Sequence, residues 1–312
     1  MIETALMLEG QMGLNWPRWQ KIAKLADDLG FAGLYRSDHF TNPSPPDQDS
    51  LELWTSLTWL ATNTEHIEFG PLVSPFTFRH PSNIARMAAA VDDLSGGRFQ
   101  LGLGAGWQDR EHEKFGFALG SIPARLQRFE EGLEVVSLLL SSNKPVSYSG
   151  DYFNLKDALL LPRPQRSGGP NILIGGNGMQ RTLPLAAKYA KEWNGLRQSP
   201  EDFVMRSQRL DELLKEAGRE PTDLRRSLMA GCVFGNTEKE ADKNAKNWGA
   251  DTAAELRKNH VFAGTAEQIL EQLFAFAEAG CQRVMLQWLD LDDMEGLEAM
   301  AKSILPKLNG VK

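Results

Sequence analysis

Two neighbouring residues, Asp38 and His39, carry the clearest chemical signal in the sequence. They lie in the string RSDHF at residues 36–40, directly after a short apolar segment. A carboxylate beside an imidazole can orient the ring and hold its pKa near neutrality, which suits a group that gives or takes a proton. A capping aspartate and a half-buried histidine at a strand end fit the same string. The remaining histidines are predicted to be solvated: His66, His80, His112 and His260.

Two glycine-rich strings follow later strands, LGLGAGW at residues 101–107 and IGGNG at residues 174–178. Glycine at a strand end lets backbone N–H groups approach a ligand because no Cβ stands in the way. The second string precedes a predicted helix that begins near Arg181, and glycine amides, a helix N-terminus and a guanidinium together suit a phosphate group. An ordinary glycine-rich turn is the alternative, and both interpretations stay open.

A segment with two prolines, GPLVSPF at residues 70–76, ends the third predicted strand. Each proline removes a donor from the hydrogen-bond ladder, so the chain cannot continue as a regular strand. The segment could form the apolar wall for a flat ring, or it could be only a strand leaving its sheet.

The elements that position these residues alternate along the whole chain, short apolar runs with amphipathic stretches. The strands are predicted near residues 3–8, 32–36, 67–73, 99–104, 171–174, 193–197, 228–234 and 283–288. About eight strand–helix units predict an α/β protein of the TIM (β/α)8 barrel class, whose functional residues project from the C-terminal strand ends. An open doubly wound sheet is the alternative, but the first strand leads into EGQMG, which lacks a dinucleotide fingerprint.

The interval between the fourth and fifth predicted strands is much longer than the others. Residues 105–170 contain a predicted helix around 123–141 and the proline-rich stretch LPRP at 161–164. No independent run of core elements lies within this interval, so we predict one barrel domain over residues 1–312 with an insertion at about 105–170.

Composition narrows the possible partners. The 312 residues include 34 Lys and Arg against 41 Asp and Glu, a net charge of −7, which disfavours general binding to nucleic acid or anionic membranes. Cys232 and Cys281 lie far apart without metal-ligand spacing, which predicts neither a metal site nor a disulfide framework. Neither a secretion signal nor a run of about 18 apolar residues is visible. We therefore expect a cytoplasmic protein with no membrane or nucleic-acid partner.

Five strings in this order resemble the luciferase-like monooxygenase superfamily, and in particular its branch that uses the deazaflavin coenzyme F420. They are SDHF at 37–40, TFRHP at 77–81, LSGGR at 94–98, LGLGAGW at 101–107 and ILIGG at 172–176. The resemblance covers nearly the whole chain. It implies a bacterial-luciferase-like TIM barrel with an insertion after the fourth strand.

The resemblance also implies roles for individual residues. Asp38 would contact the cofactor, and His39 would be the acid/base group beside the reactive ring carbon. Val73 and Ser74 would support the ring face, with a non-proline cis peptide best placed at Leu72–Val73. The remaining cofactor-binding residues would be Ala105 and Gly106, which line the cofactor, and Gly175, Gly176 and Asn177, which hold its phosphate or side chain.

One departure from the family pattern concerns the residue after the LGLGAG glycines. Sugar-phosphate dehydrogenase relatives carry an acidic residue there, whereas this sequence has Trp107, so glucose 6-phosphate is not predicted as substrate. The nearby acidic residues Asp109, Glu111 and Glu113 are predicted to form a solvated helix face.

Trp107 also raises the possibility of an aromatic pocket beside the ring, formed together with Phe40, Trp16 and Phe76. Ordinary core packing is the alternative for these aromatic residues.

The function implied by the resemblance is an F420-dependent oxidoreductase that transfers a hydride between the deazaflavin and a small organic substrate. An FMN-dependent monooxygenase on the same fold is the first alternative, and a cofactor-binding barrel without catalysis is the second. The family further implies a homodimer.

Overall fold

The computed structural model describes residues 2–309 and shows parallel strands arranged around a common axis. Its strands are β1 (Glu3–Leu8), β2 (Gly33–Arg36), β3 (Glu68–Pro71), β4 (Ser74–Pro75), β5 (Gln100–Gly104), β6 (Val146–Ser149), β7 (Asn154–Ala158), β8 (Asn171–Gly175), β9 (Glu192–Leu196), β10 (Arg225–Phe234), β11 (Phe262–Gly264) and β12 (Arg283–Gln287). The third predicted strand is divided into β3 and β4, because the chain leaves the ladder between its two prolines.

The strand order closes the sheet into a barrel. The order is β3-β2-β1-β12-β10-β9-β8-β5-β4, every neighbouring pair is parallel, and a bridge between Phe69 and Phe99 joins β3 to the start of β5. Since β3 and β4 together occupy one position, the barrel has eight strand positions. The predicted TIM barrel is therefore confirmed, and the open doubly wound sheet is excluded.

Helices cover the outside of the barrel. They are α1 (Trp16–Leu29), α2 (Leu53–Asn63), α3 (Pro81–Leu94), α4 (Asp109–Phe115), α5 (Ile122–Ser141), α6 (Thr182–Tyr189), α7 (Pro200–Glu216), α8 (Glu238–Ala245), α9 (Ala253–Lys258), α10 (Ala266–Glu278) and α11 (Met294–Asn309), with short 3-10 turns at Pro221–Asp223 and Lys246–Trp248. In α1 the Asn15 side chain caps the N-terminus, Pro17 occupies the first turn, and Gly30 ends the helix in the left-handed conformation.

The long interval between β5 and β8 contains α4, α5 and the antiparallel hairpin of β6 and β7. α5 packs against α3 and α6 in the outer layer of helices. The hairpin turn is fixed to α5 by Glu131, whose carboxylate accepts hydrogen bonds from the backbone N–H groups of Asp151, Tyr152 and Phe153.

An ionic cluster seals the N-terminal end of the barrel. Arg283, 1% exposed, donates to the Tyr35 hydroxyl and to Glu68, both at 2.7 Å, and to Glu3 at 2.8 Å. Glu192 is also buried within this cluster. The N-terminal end of the barrel is therefore occupied by side chains of the protein. Across residues 2–309, none of the helices combines the length and apolarity needed to span a membrane.

Candidate active site

A cavity of about 740 Å³ opens at the C-terminal end of the barrel. Cavities of this size bury small-molecule ligands and cofactors. The predicted site residues that line it are Asp38, His39, Val73, Ala105, Gly106, Gly175, Gly176 and Asn177. Ser74, the remaining predicted site residue, is fully buried and is not among the described residues that line the cavity. The strand order thus brings residues from four separate stretches of sequence to one place.

His39 is held by a carboxylate from a distant part of the chain. Its Nδ1 lies 2.8 Å from Oε1 of Glu111, and the backbone N–H of Phe40 donates to Oε2 of the same carboxylate at 2.8 Å. Within residues 2–309, the second ring nitrogen, Nε2, has no hydrogen-bond partner. Glu111 therefore fixes one ring nitrogen of His39 and leaves Nε2 available to a molecule bound in the cavity.

The surroundings of His39 raise its pKa above the ordinary value for histidine. Burial is the largest influence and lowers the pKa, because it penalises the charged imidazolium. The hydrogen bond and the negative charge of Glu111 act in the opposite direction, with smaller contributions from Glu9 and Asp38, and together they outweigh burial. The protonated ring is therefore more stable than in a free imidazole, and His39 is suited to donate a proton as well as to accept one.

The prediction of a solvated acidic face on α4 is wrong for Glu111, which is 1% exposed. Asp109 and Glu113 are exposed, as predicted. The sequence contained a signal: Phe115 follows Glu111 by four residues, so both lie on one face of the helix. Phe115 packs against Phe40, with ring centroids 4.8 Å apart, and this contact directs the shared face toward the His39 loop.

His112, predicted to be solvated, is buried instead. Its Nδ1 lies 2.7 Å from the carbonyl oxygen of Gln108, and its Nε2 lies 2.8 Å from the hydroxyl of Thr77. The ring stacks on Phe78 at a centroid distance of 4.8 Å. Both ring nitrogens are occupied within the protein, so His112 ties α4 to the segment after β4 and is not a second acid/base group.

Asp38 is engaged by two residues that follow β3. The Ser74 hydroxyl donates to Oδ2 at 2.7 Å, and both terminal nitrogens of the Arg79 guanidinium reach the same carboxylate. Arg79 also contacts Glu52, the N-cap residue of α2. This network joins the end of β2 to β4 and balances the charge of Asp38. Direct contact between Asp38 and a cofactor stays a prediction.

Val73 lies against two glycines at strand ends, Gly104 of β5 and Gly175 of β8. The Leu72–Val73 peptide is cis, as the resemblance implies. A Cβ on Gly104 would overlap a methyl group of Val73, whereas a Cβ on Gly175 would lie at an ordinary 3.4 Å from the other methyl. Glycine at position 104 is therefore what allows the Val73 side chain to lie against β5 and line the cavity.

Side-chain hydrogen bonds fix the loop after β8, and residues of this loop line the cavity. Asn177 binds both backbone groups of Leu196: its Nδ2 donates to the carbonyl oxygen at 2.7 Å, and its Oδ1 accepts from the N–H at 2.9 Å. Trp193 donates to the carbonyl oxygen of Gly176 at 2.8 Å. Gly176 has a φ of 124°, which residues with a Cβ rarely adopt. The phosphate-binding role of this loop stays a prediction.

The aromatic pocket expected from Trp107, Phe40, Trp16 and Phe76 does not form. Only Trp107 is among the described cavity-lining residues, with its indole edge-on to His39 at 5.4 Å and 57% exposed. Phe40 belongs to a cluster with other phenylalanines, Trp16 pairs with a tryptophan of α2, and Phe76 packs against α5. The other apolar lining residues are aliphatic or proline, among them Met7, Leu72, Pro75, Leu196 and Met229.

A polar chain after β1 also lines the cavity and was not predicted from the sequence. Glu9 accepts hydrogen bonds from the amides of Gln287 at 2.6 Å and Gln11 at 2.9 Å, and Gln11 in turn accepts from Ser37. The Ser37 hydroxyl accepts from the N–H of Gly10 at 2.9 Å. These bonds fix the cavity wall on the side of β1 and β12.

Comparison with known proteins agrees with this geometry. A family model described as luciferase-like monooxygenase matches residues 4–296. The chain belongs to this family. The predicted superfamily is thereby confirmed, and the prediction that the chain is an oxidoreductase enzyme is confirmed with it.

Individual members of the luciferase-like family differ in their reactions. A 5,10-methylenetetrahydromethanopterin reductase from Archaeoglobus fulgidus is 26% identical over 91% of this chain and 94% of its own length. Pyrimidine monooxygenase RutA from Stutzerimonas stutzeri is 26% identical over 83% of this chain and 79% of its own. Among solved structures, an F420-dependent secondary alcohol dehydrogenase superposes with a TM-score of 0.85 at 19% identity, covering 97% of this chain and 98% of that one. The structural likeness establishes a shared fold.

Proposed function

We propose that the protein is a coenzyme F420-dependent oxidoreductase that transfers a hydride between the deazaflavin and a small organic substrate. The observation that carries the proposal is His39, oriented by the buried Glu111 at the wall of a cavity large enough for a tricyclic ring. The end-to-end similarity to a methylenetetrahydromethanopterin reductase supports a reductase or dehydrogenase over other activities on this fold.

The cavity residues fit a flat redox cofactor. Leu72, Val73 and Pro75 offer an apolar surface for a ring face, and Ala105 with Gly106 lines the cavity without bulky side chains. Gly106, at a φ of 83°, and Gly176 approach the cavity with backbone only. In the bound state the deazaflavin would supply the site that accepts or donates hydride.

The protein's own contribution is to position the substrate and to move one proton. Glu111 holds Nδ1 of His39, so a proton of the substrate is given or taken at Nε2. Trp107 and Leu196, two exposed apolar residues that line the cavity, would shield the reacting groups from water once a ligand is bound. The raised pKa of His39 favours its role as proton donor, the role needed for reduction of a carbonyl or an imine.

A second candidate is an FMN-dependent monooxygenase. The similarity to RutA over 83% of this chain favours it, and the same aliphatic cavity would protect a reactive oxygen species from water.

Binding measurements separate the two candidates. Purified protein freed of cofactor is titrated with F420 and with FMN in parallel, and binding is followed by protein fluorescence. The proposal expects saturable binding of F420 that exceeds the affinity for FMN. Tight binding of FMN with none of F420 would overturn it in favour of the monooxygenase.

The role of His39 is tested in the F420-loaded enzyme with a panel of small alcohols and carbonyl compounds. Loss of general acid–base catalysis should lower turnover by about 10²- to 10⁴-fold in His39→Gln, with F420 affinity retained. His66→Gln, at an exposed position, is the matched control and should match the wild type. Unchanged turnover in His39→Gln would remove the proposed role.

We further infer a homodimer, as expected for the family. Light scattering coupled to size-exclusion chromatography should give twice the chain mass of 34.7 kDa, and a monomer across the micromolar range would contradict the inference.

A further inference from the structure

The charged residues at the cavity are distributed unevenly around the barrel. His39 follows the end of β2. In the strand order, β2 lies four strand positions from β9 in either direction around the barrel. The two strand ends therefore lie opposite each other across the cavity mouth. The carboxylates of Glu9, Asp38 and Glu111 lie beside His39, whereas Arg197 follows β9 on the far side.

Arg197 differs from every other charged residue at the cavity. Among the described lining residues it is the one lysine or arginine, and its guanidinium makes no hydrogen bond or ion pair with any part of residues 2–309. By contrast, Asp38 is paired with Arg79, and Glu111 binds His39. The cavity thus holds one cation whose charge is not balanced from within the described chain.

The backbone that carries this guanidinium is fixed. Arg197 has a φ of 32°, a left-handed conformation that residues with a Cβ adopt rarely and mostly where the surroundings enforce it. Its N–H donates to the carbonyl oxygen of Met229 at 2.8 Å. The preceding residue, Leu196, is held at both backbone groups by Asn177. Arg197 is exposed at the cavity, but its fixed backbone distinguishes it from an arginine on an unconstrained surface loop.

Two neighbouring arginines, Arg206 and Arg181, differ from Arg197 because each is paired with an acidic side chain. Arg206 lies behind the loop after β8, where it donates to the side-chain oxygen of Gln198 at 2.8 Å and pairs with Asp202. Arg181 pairs with Glu130 and is not among the described lining residues. Both have acidic partners, whereas Arg197 has none within residues 2–309.

We propose that Arg197 binds an oxyanion group, a phosphate or a carboxylate, of a molecule that occupies the cavity with its reactive end at His39. Guanidinium binds such groups through paired, charge-assisted hydrogen bonds. The group belongs either to the cofactor or to the substrate. The proposal rests on the proposed function for the reactive end, but the anion-binding role of Arg197 can be measured separately.

The first experiment compares ring systems with and without a phosphate. Dissociation constants are measured for FMN against riboflavin, and for F420 against its phosphate-free chromophore, in wild type, Arg197→Gln and Arg197→Lys. If the anion belongs to the cofactor, Arg197→Gln weakens the phosphate-bearing ligands about tenfold or more and leaves the phosphate-free ligands unchanged. Arg197→Lys should recover part of the loss. Arg209→Gln, on α7 and paired with Glu212, is the matched control and should bind as wild type does.

The second experiment titrates inorganic phosphate by calorimetry into the protein alone and into the protein saturated with its preferred ring. Phosphate binding to the ring-saturated wild type that is lost in Arg197→Gln assigns the site to a substrate anion. If Arg197→Gln equals wild type in both experiments, the proposal is overturned. If no ring binds the wild type, the proposed function fails, whereas phosphate binding to the protein alone still decides the role of Arg197. Thermal unfolding of all variants verifies folding.

Discussion

Replacing Glu111 by glutamine removes the charge that holds His39 but keeps the size of the side chain. In the wild type the carboxylate accepts two hydrogen bonds of 2.8 Å, one from the imidazole and one from the N–H of Phe40. A glutamine has one acceptor oxygen, so it can serve only one of these donors. We expect the pKa of His39 to fall in Glu111→Gln, because burial then acts without the opposing negative charge.

The same change should lower the free energy of unfolding in a pH-dependent way. A hydrogen bond to a charged partner contributes about 1.5–3 kcal/mol, which sets the expected loss while His39 is protonated. Because the folded-state pKa of His39 is raised, its ion-pair stabilisation is fully present below the ordinary value of 6.5 and is lost as pH rises through the folded-state pKa. The gap between wild type and variant should therefore narrow toward alkaline pH.

Histidine side-chain NMR titration measures the pKa, with His39→Gln used to assign the resonance, and urea unfolding at acidic and alkaline pH measures the stability. Glu113→Gln is the matched control, because this glutamate lies on the same helix and is exposed. A pKa of His39 that stays constant or rises in Glu111→Gln would refute the electrostatic reasoning. So would a stability loss that is the same at every pH.

Two further predictions concern the barrel itself. Gly104→Ala should destabilise the protein by about 1–3 kcal/mol in urea unfolding, because its Cβ would overlap Val73. Gly175→Ala, whose Cβ would lie 3.4 Å from Val73, should have a much smaller effect. Equal losses in the two variants would contradict the close packing of Val73 on Gly104. Arg283→Met should cost up to about 3–5 kcal/mol, because the buried Glu192 and the half-buried Glu68 then keep only Arg225 as a counter-charge. Burial already raises the pKa of Glu192, so lowering the pH should restore part of this loss, and an Arg283→Met variant whose deficit grows in acid would argue against the cluster.

The sequence was sufficient to predict the barrel because its strands are short apolar runs at regular intervals. Every predicted strand has a counterpart, with ends that differ by up to three residues. Arg197 is the last residue of one predicted strand, but β9 ends one residue earlier, at Leu196. Arg197 therefore lies at the cavity and not within the strand. Boundaries of this kind depend on the hydrogen bonds of neighbouring strands, which a single strand's pattern does not contain.

Side-chain pairing was the part that the sequence could not supply. The adjacency of Asp38 and His39 in the sequence predicts that the carboxylate orients the ring. The structure instead pairs Asp38 with Arg79, 41 residues away, and His39 with Glu111, 72 residues away. Such partners meet only after the barrel closes. Likewise, Phe76 directly follows a cavity-lining residue, Pro75, but its own ring packs against α5 and contributes to the core.

The acid/base unit belongs to two loops that stabilise each other. His39 follows β2 and Glu111 follows β5, and the link between the loops extends beyond this pair. Asp47 in the first loop accepts from Arg110 and Lys114 of α4, both at 2.6 Å. A seven-residue helix has little intrinsic stability, so α4 depends on these contacts for its position. Asp47→Asn should therefore alter the pKa of His39 through α4, which NMR titration of the imidazole measures, while urea unfolding of the barrel stays close to that of the wild type.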